Sequence, residues 1–341
     1  MRIGSQPPLI SICIPTYNGF LHISGLIQEV LLSPRSDFEV VVSDDCSKDQ
    51  TWEYLQSLSN KDSRLKIFRN SINLGMDGNF AHSVSLASGR YVWLCGQDDL
   101  IFHEGIDAVC NQLQAESDLD FIYLNHTKIN EGEIGARSIK PVIGSEHVYG
   151  TGLAEFLGHT KLILPTFLPI YILRKSLWDG VDVSRYFGTC YCQVGVFLES
   201  SSQMRWCHLG GNFVVGLLPK QGWQVSPIDY AKISIGFYIM LGRAWQQYKL
   251  IDREITEALY RKQLRRLMYS IILLRSYNLS IHPSMLDELR SVIRPFPLIS
   301  KLATILLRAP KVLCDVTLRM IMTRRHLRRL FAMLALPLSG F

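Results

Sequence analysis

The sequence lacks cysteine pairs with C-x-x-C spacing and long apolar runs, and these absences exclude several classes of protein. Its eight cysteines are dispersed without a C-x-x-C pair, so we expect reduced thiols in a cytoplasmic protein and no zinc-ribbon or dithiol redox site. No segment has the roughly 18 uninterrupted apolar residues of a membrane span. Residues 1–8 have no basic region followed by an apolar core, so no secretory signal is expected.

Acidic side chains are almost absent near the C-terminal end. From Arg290 onward, Asp315 is the only acid beside ten arginines and lysines, whereas the whole chain has a net charge of +6. Apolar residues alternate with these basic residues between Arg308 and Leu336, which is typical of amphipathic helices on an anionic membrane surface. Two alternatives remain: a solvated basic face of packed helices, and a self-association surface that would make an oligomer. Nucleic acid is not an expected partner, because the aromatic interleaving of nucleic-acid-binding folds is missing.

Short apolar segments alternate with helical patterns over residues 9–124. Strands are predicted at residues 9–14, 38–43, 65–68 and 121–124, and a further strand begins at Tyr91 and leads straight into Asp98 and Asp99. Helices are predicted at residues 20–32, 79–87 and 104–115, and a capping box at residues 47–50 predicts a further helix that continues to residue 58. This alternation predicts an α/β fold with a mostly parallel sheet flanked by helices.

The pattern changes after residue 124. Residues 128–152 have no clear period and predict a loop over the site, and the apolar residues 162–173 contain Pro165 and Pro169, which predict an edge strand and turn. Long helical patterns follow Ile228. We therefore expect two domains, an α/β domain at residues 1–230 and an all-α region at residues 231–341.

Polar side chains follow three of the predicted strands. Asp98 and Asp99 come directly after the strand that begins at Tyr91, Asp45 follows the second strand, and Tyr17 follows the first. In open α/β sheets, ligands bind beyond the carboxyl ends of the parallel strands. Asp45 could accept a hydrogen bond from a base ring N–H, and Tyr17 could stack on that base. These residues together predict a nucleotide site, although each alone is also typical of a turn or a helix start.

The adjacent carboxylates have a clear use if the ligand is a nucleotide-diphosphate sugar. A divalent cation beside them would neutralise the charge that grows on the pyrophosphate leaving group. Mg²⁺ or Mn²⁺ suits carboxylate oxygen ligands. We expect Asp99 to bind the metal and Asp98 to contact the ribose or a bridging water; the alternative is a polar turn that only caps the next helix.

Three sequence blocks resemble the family 2 glycosyltransferases of the GT-A fold. They are Pro15-Thr16-Tyr17-Asn18, the block from Val42 to Asp49, and the block from Gly89 through Gln97-Asp98-Asp99. The resemblance implies a GT-A domain in which Pro15, Thr16, Tyr17 and Asp45 belong to the nucleoside site. It also implies that Asp98 and Asp99 form the aspartate motif for ribose and metal, and that Asn73, Gly75 and Asn79 lie beside the diphosphate.

A weaker similarity continues through Trp178-Asp179 and the segment from Tyr186 to Tyr191. There the chain resembles abequosyltransferases and related deoxysugar transferases of bacterial O-antigen assembly. This resemblance implies a nucleotide-diphosphate sugar donor, plausibly a deoxyhexose, and a polyprenyl-diphosphate-linked glycan acceptor in lipopolysaccharide biosynthesis. With the basic tail, it predicts a cytoplasmic enzyme held peripherally on the inner face of the cell membrane.

One feature of the resembled family is missing. The family usually takes its catalytic base from an acidic pair in the segment that corresponds here to residues 188–193, which contains no carboxylate. By chemistry alone the base could be Glu199, Asp182, His126 or Asp229, although each also fits a structural role. A front-face route, in which a donor phosphate oxygen accepts the proton and configuration is retained, stays open.

The missing acid also keeps alternative functions open. A catalytically silent subunit that binds a nucleotide sugar would use the same cleft without turnover. A nucleotidyltransferase would want a glycine-rich loop with a basic residue for a triphosphate, and the loop from Pro15 to Gly19 has neither lysine nor arginine. The sequence therefore favours a metal-dependent glycosyltransferase over both alternatives.

Overall fold

The computed structural model describes residues 7–130, 146–218 and 226–333, with side chains also left out at residues 127–130, 217–218 and 324–333. The chain divides into two compact units between residues 223 and 224. Residue 230, the boundary expected from the sequence, lies inside the first helix of the second unit.

A nine-stranded sheet forms the centre of the first unit. Its strands are β1 (Ile10–Thr16), β2 (Phe38–Asp44), β3 (Leu65–Arg69), β4 (Tyr91–Leu94), β5 (Asp99–Ile101), β6 (Phe121–Asn130), β7 (Val148–Thr151), β8 (Tyr171–Arg174) and β9 (Arg205–Leu218). The strand order is β3-β2-β1-β4-β8-β6-β9-β5, and β7 pairs with β9.

Seven α-helices accompany this sheet in the described part of the first unit. They are α1 (Phe20–Leu31), α2 (Thr51–Ser59), α3 (Gly75–Ser85), α4 (His103–Ala115), α5 (Gly152–His159), α6 (Lys175–Asp179) and α7 (Cys192–Ser200). Short 3₁₀ turns cover Leu168–Ile170 and Val183–Tyr186.

The parallel half of the sheet explains the continuous apolar runs in the sequence. Strands β3, β2, β1 and β4 are mutually parallel, and every residue of β1 and β2 is buried. Strands that are covered on both faces need apolar side chains at successive positions rather than at alternate ones. Because Thr16 pairs with Asp44, the carboxyl ends of β1 and β2 lie side by side. The predicted α/β fold with a mostly parallel sheet is confirmed.

The strand that begins at Tyr91 is shorter than predicted. β4 ends at Leu94, a turn follows, and Asp99 is already the first residue of β5. The prediction of one strand leading directly into both acids is therefore wrong. The physical reason is that β5 pairs antiparallel with β9, with Asp99 opposite Gly216. The chain must therefore turn between β4 and β5.

Two helix starts also differ from the predictions. The capping box at Ser47 does not form, because the hydroxyl of Ser47 accepts the N–H of Asn18 at 2.9 Å instead and α2 begins only at Thr51. In contrast, α3 begins four residues before the predicted start at Asn79, since Asp45 accepts two N–H groups at its N-terminal end. Tertiary hydrogen bonds override the local capping pattern in both cases.

The segment with two prolines is not an edge strand. β8 lies in the interior of the sheet, antiparallel to both β4 and β6. The prolines precede the strand rather than interrupt it, so they remove no ladder hydrogen bond. The predicted loop at 128–152 is strand at both ends, in β6 and β7, and its residues 131–145 lie outside the described residues.

The second unit is helical throughout its described residues, as predicted for the C-terminal region. Its helices are α8 (Pro227–Gly242), a π-helical turn (Arg243–Gln247), α9 (Arg253–Ser276), α10 (Pro283–Ile293), α11 (Pro297–Arg308) and α12 (Lys311–Met333). Tyr238 and Tyr260 stack at 4.4 Å, and each hydroxyl donates to the other residue's carbonyl oxygen at 2.7 Å. None of the helices that the structure describes is long and apolar enough to cross a membrane.

Candidate functional site

Gln97 joins the loop after β1 to the turn after β4. Its side-chain oxygen accepts the hydroxyl of Thr16 at 2.6 Å and the N–H of Tyr17 at 3.0 Å, and its amide nitrogen donates to the Tyr17 carbonyl at 3.4 Å. A Cβ atom at Gly19 would overlap both Gln97 and Thr16. The loop therefore approaches the turn as closely as only a glycine allows.

Asp98 and Asp99 converge on one small space within that turn. A Cβ atom built on Gly96 would lie 2.7 Å from Oδ2 of Asp99 and 3.1 Å from Oδ1 of Asp98, so both carboxylates lie beside the bare Cα of Gly96. Both side chains are half-buried. Burial raises the pKa of the neighbouring Cys95 thiol well above its usual value, and the charges of Asp99 and Asp98 raise it further. Cys95 therefore remains a neutral thiol beside two acids.

These two acids fit the divalent cation that the family resemblance implies. The space beside Gly96 is one that a Cβ would fill, and it is bordered by two hard carboxylate oxygens. Mg²⁺ and Mn²⁺ prefer such ligands, with water or phosphate oxygens completing the shell. The donor set therefore supports a hard-cation site at Asp98 and Asp99.

Asp45 lies at the end of β2 but points its carboxylate into the protein. It is 2% exposed, and its oxygens accept the N–H groups of Leu74 at 2.7 Å and Gly75 at 3.0 Å and the amide of Asn70 at 2.8 Å. The side chain of Asn73 donates to the Asp45 main-chain oxygen at 3.2 Å. Asp45 thus holds the loop at 73–75 and the start of α3, and its predicted contact with a base stays a prediction.

Asn79 links the ends of β1 and β2 from α3. Its amide nitrogen donates to the carbonyls of Ser43 at 3.0 Å and Thr16 at 3.3 Å, while its oxygen accepts the hydroxyl of Ser43 at 2.7 Å and the amide of Asn70 at 3.1 Å. The side chain is 3% exposed. Asn79 therefore organises the strand ends from inside the protein, and Pro15 is likewise buried at its pairing with Ser43.

Asp44 sits beside this network and is fully buried. Its carboxylate contacts Arg69 at 3.3 Å and accepts the N–H of Ser47 at 3.3 Å. Burial raises its pKa, although Ser47 and the positive charge of Arg69 act in the opposite direction. The adjacent acids Asp44 and Asp45 thus both serve the geometry of the strand-end loops.

Two of the four candidate bases, Glu199 and Asp182, accept hydrogen bonds from neighbours in the first unit. Glu199 accepts the hydroxyl of Tyr186 at 3.0 Å and pairs with Arg185 at 3.3 Å. Asp182 caps the 3₁₀ turn at Val183–Tyr186, where it accepts the N–H and the hydroxyl of Ser184. Such contacts fit the structural alternative for both acids.

The other two candidates lie in different surroundings. His126 is on β6, where its ring packs on Phe167 at 4.9 Å between centroids. Asp229 is in the first turn of α8, in the second unit, and exchanges hydrogen bonds with the helix cap Ser226. The assignment of a base to any of the four remains a prediction.

Asp77 is a buried acid that the sequence patterns did not single out as a candidate. This acid in the first turn of α3 accepts the N–H of Cys190 at 2.9 Å and the N–H of Cys192 at 3.3 Å. It therefore brings a carboxylate to the segment 188–193, which has none of its own. The signal in the sequence was the acid two residues after Gly75, but only the fold brings it to a segment 113 residues away.

Known protein sequences are similar to the same part of this chain. The model of the family described as Glycosyl transferase family 2 matches residues 11–169. Abequosyltransferase RfbV of Salmonella typhimurium is 30% identical over 201 residues, which are 56% of this chain and 60% of that protein. WfgD of Escherichia coli, a UDP-Glc:alpha-D-GlcNAc-diphosphoundecaprenol beta-1,3-glucosyltransferase, is 29% identical over 133 residues, 39% of this chain and 51% of that protein. The chain thus spans less than two thirds of the length of either relative.

Solved structures show the same fold over almost the whole chain. S. aureus TarS 1–349 in complex with UDP has a TM-score of 0.61 and 20% identity, covering 92% of this chain and 91% of that one. The mannosyltransferase PcManGT of Pyrobaculum calidifontis, in complex with GDP-Man and Mn²⁺, has a TM-score of 0.50 and 14% identity, covering 92% and 88%. At these identities the likeness concerns the fold alone.

The family match and the site geometry coincide. Residues 11–169 include the loops after β1 and β2, the start of α3 and the turn at Gly96 that holds both acids. The resemblance seen in the sequence is therefore confirmed: residues 11–169, which hold these loops, match the glycosyltransferase family 2 model, and the fold is like that of the solved GT-A structures.

Proposed function

We propose that this protein transfers a sugar from a nucleotide-diphosphate donor to a polyprenyl-diphosphate-linked glycan in surface polysaccharide synthesis. The observation that carries the proposal is the pair Asp98 and Asp99, converging beside Gly96 and linked through Gln97 to the loop of Tyr17. The similar RfbV is named an abequosyltransferase and the similar WfgD a glucosyltransferase that acts on a diphosphoundecaprenol-linked sugar, which supports sugar transfer to an undecaprenol-linked acceptor. A deoxyhexose as the donor sugar is the finer part of this proposal.

The donor would bind along the carboxyl ends of β1, β2 and β4. The Tyr17 side chain is 43% exposed and offers a face for base stacking. Pro15 and Thr16 would support the Tyr17 loop, Thr16 through its hydrogen bond to Gln97. Asp45 would shape the pocket by holding the loop at 73–75. The N-terminal end of α3 follows this loop, and a helix N-terminus favours a negatively charged diphosphate.

Asp99, with Asp98, would hold Mg²⁺ or Mn²⁺. The cation supplies charge neutralisation for the departing nucleotide diphosphate. Asp98 would in addition accept a hydrogen bond from the ribose or from a bridging water. For the acceptor proton there are two routes: Glu199, Asp182, His126 or Asp229 accepts it in an inverting reaction, or a donor phosphate oxygen accepts it in a front-face reaction with retention. The anomeric configuration of the product, measured by NMR, tests that choice between retention and inversion.

Contact with a membrane would bring the enzyme to a lipid-linked acceptor. Helices α11 and α12 expose apolar side chains next to the basic residues Lys301, Arg308, Lys311 and Arg319. The exposed apolar residues are Leu298, Ile305, Val312, Leu313, Val316, Met320 and Met322. Such helices bind anionic interfaces through apolar insertion and charge attraction together, which supports a peripheral position on the inner face of the membrane.

A donor screen tests the proposed function. The protein is incubated with UDP-, GDP-, dTDP- and CDP-sugars with and without Mn²⁺, while thermal stability and slow donor hydrolysis are followed. One base class should stabilise the fold in a Mn²⁺-dependent way, by about 2.7 kcal/mol at 100 times the dissociation constant. The variant Asp99→Ala should lose both the Mn²⁺ dependence and hydrolysis, whereas Glu53→Gln, at an exposed site on α2, should retain them.

The same screen separates the alternatives. A silent binding subunit would be stabilised by a nucleotide sugar but would show no turnover with any donor or lipid-linked acceptor. A nucleotidyltransferase would instead consume a nucleoside triphosphate and a sugar 1-phosphate. Absence of any nucleotide-dependent shift in the wild-type protein would contradict the proposed donor site.

A further inference from the structure

The turn at residues 188–192 has a backbone that needs support. Gly188 and Cys190 both have positive φ angles, +81° and +64°. A cysteine in this left-handed region is strained by contact between its Cβ and the backbone, which its surroundings must offset. Within the turn, the hydroxyl of Thr189 donates to the Tyr186 carbonyl at 2.7 Å and accepts the N–H of Tyr191 at 3.1 Å.

The remaining support comes from Asp77. Its two carboxylate oxygens accept one N–H group each, from Cys190 at 2.9 Å and from Cys192 at 3.3 Å. The acid is only 5% exposed, and a hydrogen bond to a charged group in such a site is stronger than one between neutral groups. Burial raises the pKa of Asp77, while these N–H groups and that of Gly188 partly offset the effect.

Asp77 also connects the turn to the donor side of the site. It lies in the first turn of α3, two residues after Gly75, whose N–H donates to Asp45 at 3.0 Å. The first turn of α3 is thus held by Asp45 on one side and is bound through Asp77 to the turn 188–192 on the other. A change in the loop at 73–75 would be passed to the turn through one rigid helical turn.

We propose that Asp77 is a positioning residue of the sugar-transfer site, which holds the turn 188–192 against α3 and couples its conformation to nucleotide binding at the loop 73–75. This proposal rests on the proposed function for the identity of the ligand, but the link between Asp77 and the turn stands on the contacts alone. Asp77 is not assigned as the catalytic base, because both its oxygens already accept main-chain N–H groups and almost none of its surface reaches solvent.

Hydrogen–deuterium exchange on the full chain tests the link without any ligand. In Asp77→Asn, which keeps the shape but only one acceptor oxygen, exchange in a peptide that covers residues 186–195 should become about tenfold faster or more. Asp77→Ala should increase it further. The control Glu53→Gln removes a carboxylate from the first turn of α2 and should leave this peptide unchanged. Equal exchange in wild type and both Asp77 variants would overturn the proposal.

A second arm tests the coupling with UDP, GDP and dTDP in the presence of Mn²⁺. The diphosphate that stabilises the wild-type protein should slow exchange in peptides covering residues 72–80 and 186–195. In Asp77→Asn it should still slow the first peptide and still stabilise the protein, but should no longer slow the second. With a lipid-linked acceptor, the variant should keep the donor KM within about twofold while kcat falls about tenfold.

Each outcome separates this proposal from the proposed function. Loss of nucleotide stabilisation in Asp77→Asn would make Asp77 a structural part of the donor site and overturn the coupling. If Asp77→Asn instead shifts the acidic limb of the plot of kcat against pH while hydrogen–deuterium exchange at residues 186–195 is unchanged, Asp77 would be a direct proton acceptor. If no nucleotide stabilises the wild type, the proposed function fails, whereas faster exchange in ligand-free Asp77→Asn would still support the link to the turn.

Discussion

At the scale of single residues, the space around two glycines sets the geometry of the site. Gly19 lets the loop after β1 reach Gln97, and Gly96 leaves open the space toward which Asp98 and Asp99 converge. Gly96 does not need a positive φ, so an alanine there would act through its Cβ alone. A substitution at Gly96 would therefore reduce the volume of the site without straining the backbone.

Replacing Gly96 with alanine should impair metal binding without unfolding the protein. The new Cβ would lie 2.7 Å from Asp99 Oδ2, so the carboxylates must move, and Mn²⁺-dependent donor binding should weaken about tenfold or more. Titration of the nucleotide-stabilised protein with Mn²⁺ measures this. Gly25→Ala is the control: its Cβ meets no atom within 4 Å, and in helix α1 it should raise stability by about 0.5–1 kcal/mol. Unchanged Mn²⁺ affinity in Gly96→Ala would argue against a metal at these acids.

His208 should make the stability of the first unit depend on pH. Burial, with smaller contributions from His159 and His147, lowers its pKa from 6.5 to about 4. Between these values the unfolded chain binds a proton that the folded chain does not, so stability is complete above pH 6.5 and is lost as the pH falls toward 4. The loss should reach about 2 kcal/mol near pH 4.5.

Urea unfolding from pH 7 to 4.5 measures this loss. Nδ1 of His208 lies 3.0 Å from Nε2 of His159. Burial also lowers the pKa of His159. In His208→Asn, the free energy of unfolding should lose most of its dependence on pH. His159 should account for a smaller remaining dependence in the same direction. His22→Gln, which changes an exposed imidazole on α1, should leave it intact. A full slope in His208→Asn would show that other groups cause the pH dependence.

At the scale of elements, the ends of β1, β2 and α3 form one hydrogen-bonded unit. Asn79 from α3 bonds to Thr16 and Ser43, and Asp45 from β2 bonds back to the start of α3. Because these polar groups are buried, removing Asn79 or Asp45 takes away several hydrogen bonds at once in a place that is poorly exposed to water. The loops that are proposed to bind the donor therefore depend on an element junction behind them.

Replacing Asn79 with alanine should destabilise this junction. It removes the nearest acceptor of the Ser43 hydroxyl and one donor to each of two buried carbonyl oxygens, so the free energy of unfolding should fall by about 2–4 kcal/mol. Thermal unfolding measures this change. Asn60→Ala, at the exposed end of α2, is the matched control and should cost less than about 1 kcal/mol. A cost for Asn79→Ala that is as small as the control's would mean that water replaces the lost bonds.

At the scale of the whole molecule, the chain combines an α/β unit with a helical unit of different surface character. In the second unit, Cys314 and Leu318 of α12 pack with Ile272 and Leu273 of α9, whereas Leu313 and Met320 are exposed on the same helix. One side of α12 is thus occupied within its own unit. The other side carries the apolar and basic residues on which the proposed membrane contact depends.

Acidic substitutions on α12 should release the protein from anionic vesicles. In Leu313→Glu/Met320→Glu, two exposed apolar side chains are replaced without disturbing Cys314 or Leu318, and flotation with phosphatidylserine vesicles should fall about tenfold or more. Leu21→Glu, at an exposed apolar site in the first unit, is the control. Point variants are preferable to truncation at Arg290, which would uncover the apolar side of α9. Equal flotation of all three proteins would contradict the membrane contact.

The sequence by itself determined the fold class, the family resemblance and the position of the acids in the chain. Continuous apolar runs between helical patterns are typical of strands in a parallel sheet whose two faces are both covered. The blocks around Tyr17, Asp45 and Asp99 carry the family resemblance. The basic helical tail was likewise visible from composition and period. These features depend on residues that are close in the chain, where local pattern is informative.

Only the tertiary structure decided how these residues are used. Asp45 and Asn79 are turned into the protein by partners on other segments of the chain, β8 enters the middle of the sheet, and the start of β5 at Asp99 depends on pairing with β9. The carboxylate beside the turn 188–192 comes from Asp77, 113 residues earlier in the chain. Hydrogen bonds between distant segments depend on which loops meet in space, and no local pattern in the sequence encodes that meeting.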